Sequence, residues 1–364
     1  MANPFDTEMM ARALQLAGQA CYRARPNPAV GCVLVRDGKI IGEGATQAAG
    51  GNHAEVEALA ACPDASAATA YVTLEPCSHQ GRTGPCSDAL VDAGVSEVFI
   101  AMRDPNPEVT GNGIARLQAV GIAVHEGLLA EQAETVNAGF YQRMRSGRPR
   151  VRIKLASSLD GRTAMASGES QWITGPAARA DVQRLRASSG AIVTGVDTVI
   201  SDDPALTVRN TAFDIPGQPL RVILDSAQRT PPHAKIFQQA GETVLAYVEG
   251  VPASKALQQA GATLLALPSA ARRVDLHALL DWLGQRQIND ILVECGPRLA
   301  GAFVTAGLAD EILVYMAPTL LGSSARPLLD MGLDQMDQQQ RLLVQDLRKV
   351  GDDYRWTLVP TAGV

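Results

Sequence analysis

The sequence predicts a chain of two α/β domains. Its 364 residues exceed what one hydrophobic core usually supports. Apolar residues make up 46% and charged residues 19% of the chain, which is typical of folded globular domains. Helical patterns alternate with short β-rich runs along both halves. We place the boundary near residue 147, giving domains 1–147 and 148–364, because Gly147 and Pro149 interrupt a helical pattern there.

Two predicted helices bracket the first domain. Apolar residues recur at helical spacing from Met9 to Ala17, after a candidate N-cap at Asp6. A last helix is predicted over about 130–145, just before the boundary. The first of these helices is amphipathic.

A hairpin and three further strands are predicted between these helices. The β-rich runs Gly31–Val35 and Lys39–Gly42 are joined across Asp37-Gly38, a strong signal for a tight turn. The later strand-like runs are Ala70–Leu74, Glu97–Ala101 and Ile122–His125. Helical patterns separate them, which indicates parallel strands with crossover helices.

The second domain repeats this alternation. Its predicted strands are Val151–Leu155, Ala191–Thr194, Arg221–Asp225, Thr243–Val248, Asp290–Glu294, Glu311–Met316 and Arg355–Val359. No G-x-G-x-x-G run follows the first of them, so the pattern does not support a Rossmann dinucleotide fold.

Charge and cysteine content limit the partners. The 32 basic and 38 acidic residues give a net charge of −6, which argues against nucleic acid as a partner. No run is long and apolar enough to suggest a membrane span, so we expect a cytoplasmic protein with a small-molecule partner. The six cysteines are too sparse for a disulfide framework and are expected to be reduced. We also expect a homo-oligomer, whose size the sequence does not specify.

One cluster of residues carries the pattern of a catalytic zinc site. His53, Cys77 and Cys86 offer one imidazole and two thiols, and Glu55 lies two residues from the imidazole. Three such ligands leave the fourth tetrahedral position of Zn²⁺ open to water, whose pKa falls from about 15.7 to about 7 on binding. A helical pattern follows Cys86, so the helix dipole would favour its thiolate. We predict that Glu55 shuttles the proton.

The spacing is typical of zinc deaminases, which carry H-x-E followed by P-C and a second cysteine. Here eight residues separate the cysteines, which argues against a polynucleotide-editing enzyme. The alternatives are a structural histidine with two buried thiols, and a closed structural zinc site. A closed site needs a fourth ligand; His79 is the obvious candidate, and we expect it to face substrate or solvent instead.

A weaker signal marks a phosphate site in the second domain. The strand ending at Glu294 runs into Gly296-Pro297 and then into a helical pattern. Pro297 suits the first helical position, and exposed amides at a helix start can hold an anionic phosphate. Lys154 is a candidate for the reacting centre or for a soluble sheet edge.

Several motifs in order resemble those of the bacterial bifunctional riboflavin-biosynthesis proteins. In the first domain they are Pro26-Asn27-Pro28-x-Val30-Gly31, His53-Ala54-Glu55, Glu75-Pro76-Cys77-Ser78-His79-x-Gly81-Arg82-Thr83-x-Pro85-Cys86 and Asp104-Pro105-Asn106-Pro107. In the second they are Lys154 to Arg162, Ser167 to Thr174, Asp202 to Arg209 and Glu294 to Pro297. Together they span nearly the whole chain.

The resemblance implies a cytidine-deaminase-like domain followed by a dihydrofolate-reductase-like domain. It implies hydrolytic loss of the 2-amino group of 2,5-diamino-6-ribosylamino-4(3H)-pyrimidinone 5′-phosphate, then reduction of the ribosyl group to ribityl with NADPH. The NADPH contacts it implies are Ala156, Trp172, Thr198, Asp202, Ser226, Gly296, Pro297, Arg298, Leu299, Ala300, Gly301 and Ala302. The substrate contacts it implies are Ser170, Arg186, Leu206, Arg209 and Glu294. Of these, Arg186 and Arg209 are expected to grip the substrate phosphate in bidentate fashion, although solvated surface arginine is the commoner role.

Two other functions stay open at this point. One is a nucleobase or tRNA deaminase with an unrelated C-terminal domain, against which the acidic charge and the long Cys–Cys loop count. The other is a zinc-stabilised binding module, which would need a fourth protein ligand and would tolerate loss of Glu55. The chain also departs from the resemblance at Gly44 to Gln47, where related proteins commonly carry His close to Thr46.

Overall fold

The computed structural model describes residues 3–78, 84–106 and 109–361. The chain divides into two compact units, Met1–Gly147 and Arg148–Val364. Within the described ranges, none of the helices has both the length and the apolar composition that crossing a bilayer requires. His79, which we expected to face substrate or solvent, lies outside the described residues.

The first unit is a five-stranded sheet with helices on both faces. Its elements in chain order are α1 (Pro4–Ala20), β1 (Gly31–Arg36), β2 (Lys39–Ala45), α2 (Ala54–Ala60), β3 (Thr69–Val72), α3 (Cys86–Asp92), β4 (Glu97–Ile100), α4 (Asn112–Ala119), β5 (Ala123–Glu126), α5 (Ala130–Val136) and α6 (Ala138–Ser146). The strand order is β2-β1-β3-β4-β5. Buried residues of α1 pack on one face of the sheet, and those of α2, α3 and α4 pack on the other.

The predicted hairpin and parallel strands are confirmed. β1 and β2 pair antiparallel, and Asp37 and Gly38 between them have φ of 53° and 70°. A two-residue turn with both φ values positive matches the right-handed twist of the strands it joins. β3, β4 and β5 pair in parallel, each reached through a crossover helix.

Two details of the predicted helices are wrong. Asn3, not Asp6, is the N-cap of α1; its side chain accepts a hydrogen bond from the Asp6 amide at 3.0 Å, and the Asp6 carboxylate accepts one from the Asn3 amide at 2.8 Å. The helix over 130–145 is two helices that meet at Asn137. The amide side chain of Asn137 exchanges two hydrogen bonds of 2.8 Å with the Ala29 backbone, which holds it at φ −116° and ψ 24°.

The second unit is built on a nine-stranded sheet. Its elements are β6 (Arg150–Ser158), β7 (Arg162–Ala164), α7 (Pro176–Ala187), β8 (Ala191–Gly195), α8 (Val196–Asp202), β9 (Leu220–Leu224), β10 (Thr243–Val248), α9 (Lys255–Gln259), β11 (Thr263–Leu267), β12 (Ser269–Ala270), β13 (Arg273–Val274), α10 (Leu276–Gln285), β14 (Asp290–Glu294), α11 (Pro297–Thr305), β15 (Glu311–Ala317), β16 (Arg326–Pro327), β17 (Leu342–Val350) and β18 (Asp353–Pro360). Two short 3₁₀ helices lie at Lys235–Gln238 and Met336–Gln338.

The large sheet has the order β11-β10-β9-β8-β14-β6-β15-β18-β17. Every pair from β11 to β15 is parallel, and β18 and β17 close one end as an antiparallel hairpin. Alternate residues of the parallel strands enter separate apolar clusters on the two faces, so both faces are covered. The seven predicted strands of this unit are present, whereas β11 and the edge strand β17 were not predicted.

Candidate active sites

Three side chains of the first unit form a compact cluster of potential metal ligands. The Nδ1 of His53 and the Sγ atoms of Cys77 and Cys86 all lie within 4.8 Å of one another. His53 Nδ1 is 3.3 Å from Cys86 Sγ and 3.6 Å from Cys77 Sγ. Tetrahedral zinc with ordinary bond lengths separates a nitrogen and a sulfur ligand by about 3.6 Å. The donor types and their spacing therefore fit a zinc ion held by these three residues.

Close packing of α2 on the hairpin positions His53. A Cβ on Gly44 would come within 2.1 Å of the Ala54 carbonyl oxygen, and one on Gly42 within 2.4 Å of the Ala58 carbonyl oxygen. Only glycine permits this approach at both positions. His53 is the N-cap residue of α2. The packing that fixes α2 on the hairpin therefore also fixes the backbone from which the His53 side chain projects.

The two cysteines are fixed to each other through backbone hydrogen bonds. The Cys86 amide donates to Cys77 Sγ at 3.3 Å. The amide and the hydroxyl of Ser87 both donate to the Cys77 carbonyl oxygen at 3.1 Å. Cys86 is the first residue of α3, as the sequence predicted, so this helix start holds one cysteine and binds the backbone of the other.

The electrostatics favour a thiolate at Cys77. Hydrogen bonds from Cys86 and His53 lower the pKa of Cys77 to about 4, against the opposing effect of burial. The same contact raises the pKa of Cys86, so the pair shares one proton. The Cys77 hydrogen bond also raises the pKa of His53, partly opposed by burial. A cation in this position would displace these protons, because zinc ligands bind in deprotonated form.

Glu55 lies next to the cluster and is buried, with 3% of its surface exposed. It contacts the Cys86 thiol by a hydrogen bond, and burial raises its pKa to about 7. A carboxyl group placed beside the ligands and sheltered from water has the position that a general acid and base requires.

The segment that departs from the resemblance has a structural role here. Thr46 is buried; its hydroxyl accepts a hydrogen bond from the Val30 amide at 2.9 Å, and its carbonyl oxygen accepts one from Arg23 at 3.0 Å. The side-chain amides of Gln47 and Asn52 both donate to the Glu57 carboxylate, at 3.2 and 2.8 Å. These bonds fasten the loop before His53 to the first turn of α2.

The second unit brings two predicted substrate residues into direct contact. Arg186 donates through Nε and Nη2 to the two carboxylate oxygens of Glu294, at 2.6 and 2.9 Å. Its Nη1 donates to the Thr207 carbonyl oxygen at 3.0 Å. Arg186 is 9% exposed. The guanidinium that we expected to grip a phosphate is thus engaged by Glu294, which ends β14 at the carboxyl edge of the sheet.

Two further basic groups act on the same carboxylate. Glu294 lies beside Lys154 in the register of β14 and β6. Burial alone would raise the pKa of Glu294, but the charges of Arg186, Lys154 and Arg209 bring it below its ordinary value. Burial lowers the pKa of Lys154, partly offset by Glu294. Arg209 is exposed, with its backbone amide bonded to the Gln183 side chain at 2.7 Å.

The helix predicted to hold the cofactor phosphate begins where the sequence indicates. Gly296 is the N-cap of α11 and Pro297 is its first residue. Leu299 and Ala300 pack into the apolar core, and a Cβ on Gly301 would lie 2.0 Å from the Asp330 carbonyl oxygen. Arg298 is exposed and Ala302 half-buried.

The other predicted contacts divide between the sheet edge and exposed segments. Ala156, Thr198 and Ser226 lie in or just after β6, β8 and β9, near the carboxyl ends of strands in the parallel part of the sheet. That edge is where open α/β sheets bind ligands.

The remaining predicted residues lie away from the strand ends. Leu206 has φ of 47° and a side chain buried in the core, so only its backbone is available to a ligand. Ser170 is half-buried and Asp202 exposed. Trp172 is 69% exposed, with the Arg179 guanidinium 4.5 Å from its ring centre.

Glu75, directly before Pro76 and Cys77, is a further residue of this site that we did not predict. Glu75 is buried, 3% exposed, and its carboxylate accepts four backbone hydrogen bonds. A charged residue directly before Pro76 and Cys77, at the end of an otherwise apolar strand, was the available signal.

Two family models match the chain, one in each unit. Residues 4–102 match the cytidine and deoxycytidylate deaminase zinc-binding region. Residues 149–355 match the RibD C-terminal domain. The second match overturns the alternative of a nucleobase or tRNA deaminase with an unrelated C-terminal domain.

Individual relatives cover nearly the whole chain. The riboflavin biosynthesis protein RibD of Escherichia coli K12 is 51% identical over 360 residues, covering 96% of this chain and 97% of the relative. RibD of Haemophilus influenzae is 46% identical and covers 98% and 97%. A solved structure of Acinetobacter baumannii RibD matches with a TM-score of 0.92 and 46% identity, covering 98% and 99%.

A more distant solved structure is of a protein named for both activities. It is a diaminohydroxyphosphoribosylaminopyrimidine deaminase/5-amino-6-(5-phosphoribosylamino)uracil reductase from Thermotoga maritima, with a TM-score of 0.88 and 30% identity over 98% of this chain and 99% of that one. The family resemblance found in the sequence is confirmed, including its order of a deaminase-like and a reductase-like domain. The chain belongs to the RibD family of riboflavin-biosynthesis proteins, bifunctional enzymes that combine a zinc-binding deaminase domain with a reductase domain.

Proposed function

We propose that the first unit hydrolyses the ring 2-amino group of 2,5-diamino-6-ribosylamino-4(3H)-pyrimidinone 5′-phosphate, and that the second then reduces the ribosyl group to ribityl with NADPH. The observation that carries the proposal is the cluster of His53, Cys77 and Cys86 beside buried Glu55, in a chain whose other unit matches the RibD C-terminal domain. The two activities for which the Thermotoga maritima relative is named support the choice of substrate.

In the deamination, His53, Cys77 and Cys86 would hold the zinc. Bound zinc makes water acidic enough to serve as a nucleophile at neutral pH. Glu55 would pass the proton that the water loses to the ring nitrogen beside the attacked carbon, and would then carry the remaining hydroxyl proton to the departing amino group, so that ammonia leaves and the ring carbon gains a carbonyl oxygen. The position of Glu55, next to Cys86 and sheltered from solvent, supports this role.

In the reduction, the carboxyl edge of the large sheet would align cofactor and substrate. NADPH supplies the hydride. The start of α11, from Gly296 to Leu299, would face the cofactor pyrophosphate with its free backbone amides. The cofactor contacts implied by the resemblance near the strand ends, Ala156, Thr198 and Ser226, remain part of this proposal.

We further propose distinct roles for the two arginines. Arg209, which is exposed, would take the substrate phosphate. Arg186 would instead hold Glu294 in place, since its donors already meet that carboxylate and the Thr207 carbonyl oxygen. Glu294 would then face the ribosyl group beside Lys154.

A homo-oligomer and a cytoplasmic location stay predictions. The edge strand β17 supports the first, because Leu343, Val344 and Leu347 are exposed on a strand whose outer backbone groups are open to pairing. Light scattering after size-exclusion chromatography would show more than one copy per particle, and Leu347→Lys would shift the particle toward the monomer. Ile200→Lys, at an exposed apolar residue of α8, is the matched control.

A coupled assay tests the proposed pair of reactions. The diaminopyrimidine phosphate is supplied with zinc-loaded protein, and ammonia release and NADPH absorbance are followed separately. We expect ammonia to be released even when NADPH is omitted. When NADPH is present, we expect its oxidation only after deamination has begun. Failure to release ammonia, or NADPH oxidation that runs equally well on the undeaminated compound, would contradict the proposed order.

A further inference from the structure

The carboxylate of Glu75 joins residues 75–78, which we call the Cys77 loop, to backbone amides that lie 29 to 39 residues later in the same unit. Its Oε1 accepts hydrogen bonds from the amides of Gly113 and Ile114, at 3.0 and 3.3 Å. Its Oε2 accepts hydrogen bonds from the amides of Asp104 and Gly111, at 3.3 and 3.0 Å. Cys77 follows two residues later. A single side chain thus holds four backbone amides that lie far from it in sequence.

These contacts supply the cap of α4. The N-cap residue of that helix is Gly111, which offers no side chain of its own to the first-turn amides. Glu75 satisfies amides of the first turn from outside and places a negative charge at the positive end of the helix dipole. A carboxylate is purely an acceptor, with about four lone-pair sites, so four donors match its capacity.

The backbone beside Glu75 is in close contact with the first turn of α4. A Cβ on Gly113 would lie 1.9 Å from the Pro76 carbonyl oxygen. The Glu75 amide also donates to the Met102 carbonyl oxygen at 2.9 Å. The residues before Cys77 are therefore fixed on α4 through the carboxylate and the close approach of Pro76 to Gly113, and on the segment after β4 through a main-chain hydrogen bond.

The other side of Cys77 is fixed on α3, and α3 is tied to α4. Ser87 of α3 donates twice to the Cys77 carbonyl oxygen. Asp88 of α3 accepts a hydrogen bond from Arg116 of α4 at 2.6 Å. The Cys77 loop thus lies between two helices, and α3 itself carries the ligand candidate Cys86.

We propose that Glu75 is a positioning residue for the metal site. It anchors the Cys77 loop to the start of α4, and so sets the separation of Cys77 from Cys86 and His53. The inference rests on the proposed zinc-dependent deamination. Residues that orient metal ligands usually contribute about 10- to 100-fold to metal affinity or activity.

Glu75→Gln tests the proposal. The amide nitrogen of glutamine would face backbone donors in place of one oxygen, so one pair of amides loses its acceptor. We expect zinc affinity, measured by competition with a chromogenic chelator, to fall about 10- to 100-fold. NADPH oxidation on the deaminated substrate, the activity proposed for the second unit, should stay unchanged. Glu97→Gln is the matched control, since this carboxylate of β4 is partly exposed and bonds Thr69 and His125.

Gly113→Ala provides an independent variant that keeps the carboxylate. Alanine ordinarily stabilises a helix relative to glycine. Here its Cβ would push on the Pro76 carbonyl, so we expect weaker zinc binding instead, with the visible absorption of the Co²⁺-substituted protein altered by the moved ligand. If Glu75→Gln does not fold, the zinc affinity and the Co²⁺ absorption of Gly113→Ala test the positioning role.

Zinc affinities within twofold of the unmodified protein in both folded variants would overturn the positioning role. These readouts need no pyrimidine substrate, so they separate this proposal from the proposed function. If the unmodified protein binds zinc but releases no ammonia, the proposed function fails. The chelator titration of the two variants still tests whether Glu75 positions the metal ligands.

Discussion

The two candidate sites are assembled in contrasting ways. The zinc cluster comes from two short stretches, the start of α2 and the segment leading into α3, and its three ligand atoms lie within 4.8 Å. The candidate reductase site is spread along the carboxyl edge of a sheet whose strands come from separated parts of the second unit. In it, Glu294 of β14 meets Arg186 of α7 and lies beside Lys154 of β6.

This difference affects how each site should respond to substitution. At the zinc cluster, residues that touch the reacting atoms are few, and loss of one should stop a single activity without unfolding its unit. At the sheet edge, Arg186 and Glu294 are largely buried and hold each other, so loss of either should change both stability and binding, whereas loss of exposed Arg209 should affect binding alone. The predictions below test this contrast.

Glu55→Gln should give the largest effect. Loss of a general acid and base typically costs about 10²- to 10⁴-fold in rate. We expect ammonia release to fall by that factor while zinc content, measured by atomic absorption, stays at one per chain. Glu43→Gln, which loses an exposed ion pair with Arg12, is the control. Undiminished ammonia release would exclude Glu55 as the proton shuttle.

Arg186→Met should destabilise the second unit by about 3 to 5 kcal/mol, because it leaves Glu294 as a buried charge without its main partner. The three tryptophans, Trp172, Trp282 and Trp356, all lie in this unit, so their fluorescence during urea unfolding reports on it alone.

The double variant Arg186→Met with Glu294→Gln should recover part of the lost stability, since the uncompensated charge is gone. If Arg186→Met unfolds at the same urea concentration as the unmodified protein, the pair is not a structural element. The contrast between the two sites would then disappear.

Arg209→Ala should weaken substrate binding without unfolding the unit. Hydrogen bonds to charged groups contribute about 1.5 to 3 kcal/mol, which corresponds to about a 10- to 150-fold rise in KM. The kcat should change little, because a phosphate far from the reacting carbon is bound equally in ground and transition states. Arg272→Ala, an exposed arginine of the same unit, is the control. A fall in kcat at unchanged KM would contradict the phosphate role.

The candidate zinc site could be proposed from the sequence because its candidate ligands are local in sequence and chemically specific. An imidazole, two thiols and a carboxylate in short motifs have few other uses, and a proline and a helical pattern mark where the second cysteine lies. The parallel strands of both units were predictable for a similar reason, since apolar β-rich runs alternate with helical ones.

Other features depend on partners that the sequence does not place. The break at Asn137 arises from its two bonds to Ala29, more than a hundred residues away. The pairing of Arg186 with Glu294 needs the strand order, in which β14 inserts between β8 and β6. Strand β17 is exposed along most of its length and so lacks the alternation that identifies a half-buried strand.

Acid titration provides the finest test of the contrast between the sites. Because Arg186 and its basic neighbours lower the pKa of Glu294 in the folded state, the pair stabilises the second unit at pH values above the unfolded pKa of about 4.3. That stabilisation is lost as the pH falls through the folded pKa. The free energy of unfolding, followed by tryptophan fluorescence, should therefore decline more steeply from pH 5 toward pH 3 in the unmodified protein than in Glu294→Gln. Glu242→Gln, which removes an exposed ion pair with Arg286, should keep the unmodified slope. Equal slopes in all three proteins would mean that the buried pair adds no more to acid sensitivity than a surface carboxylate does.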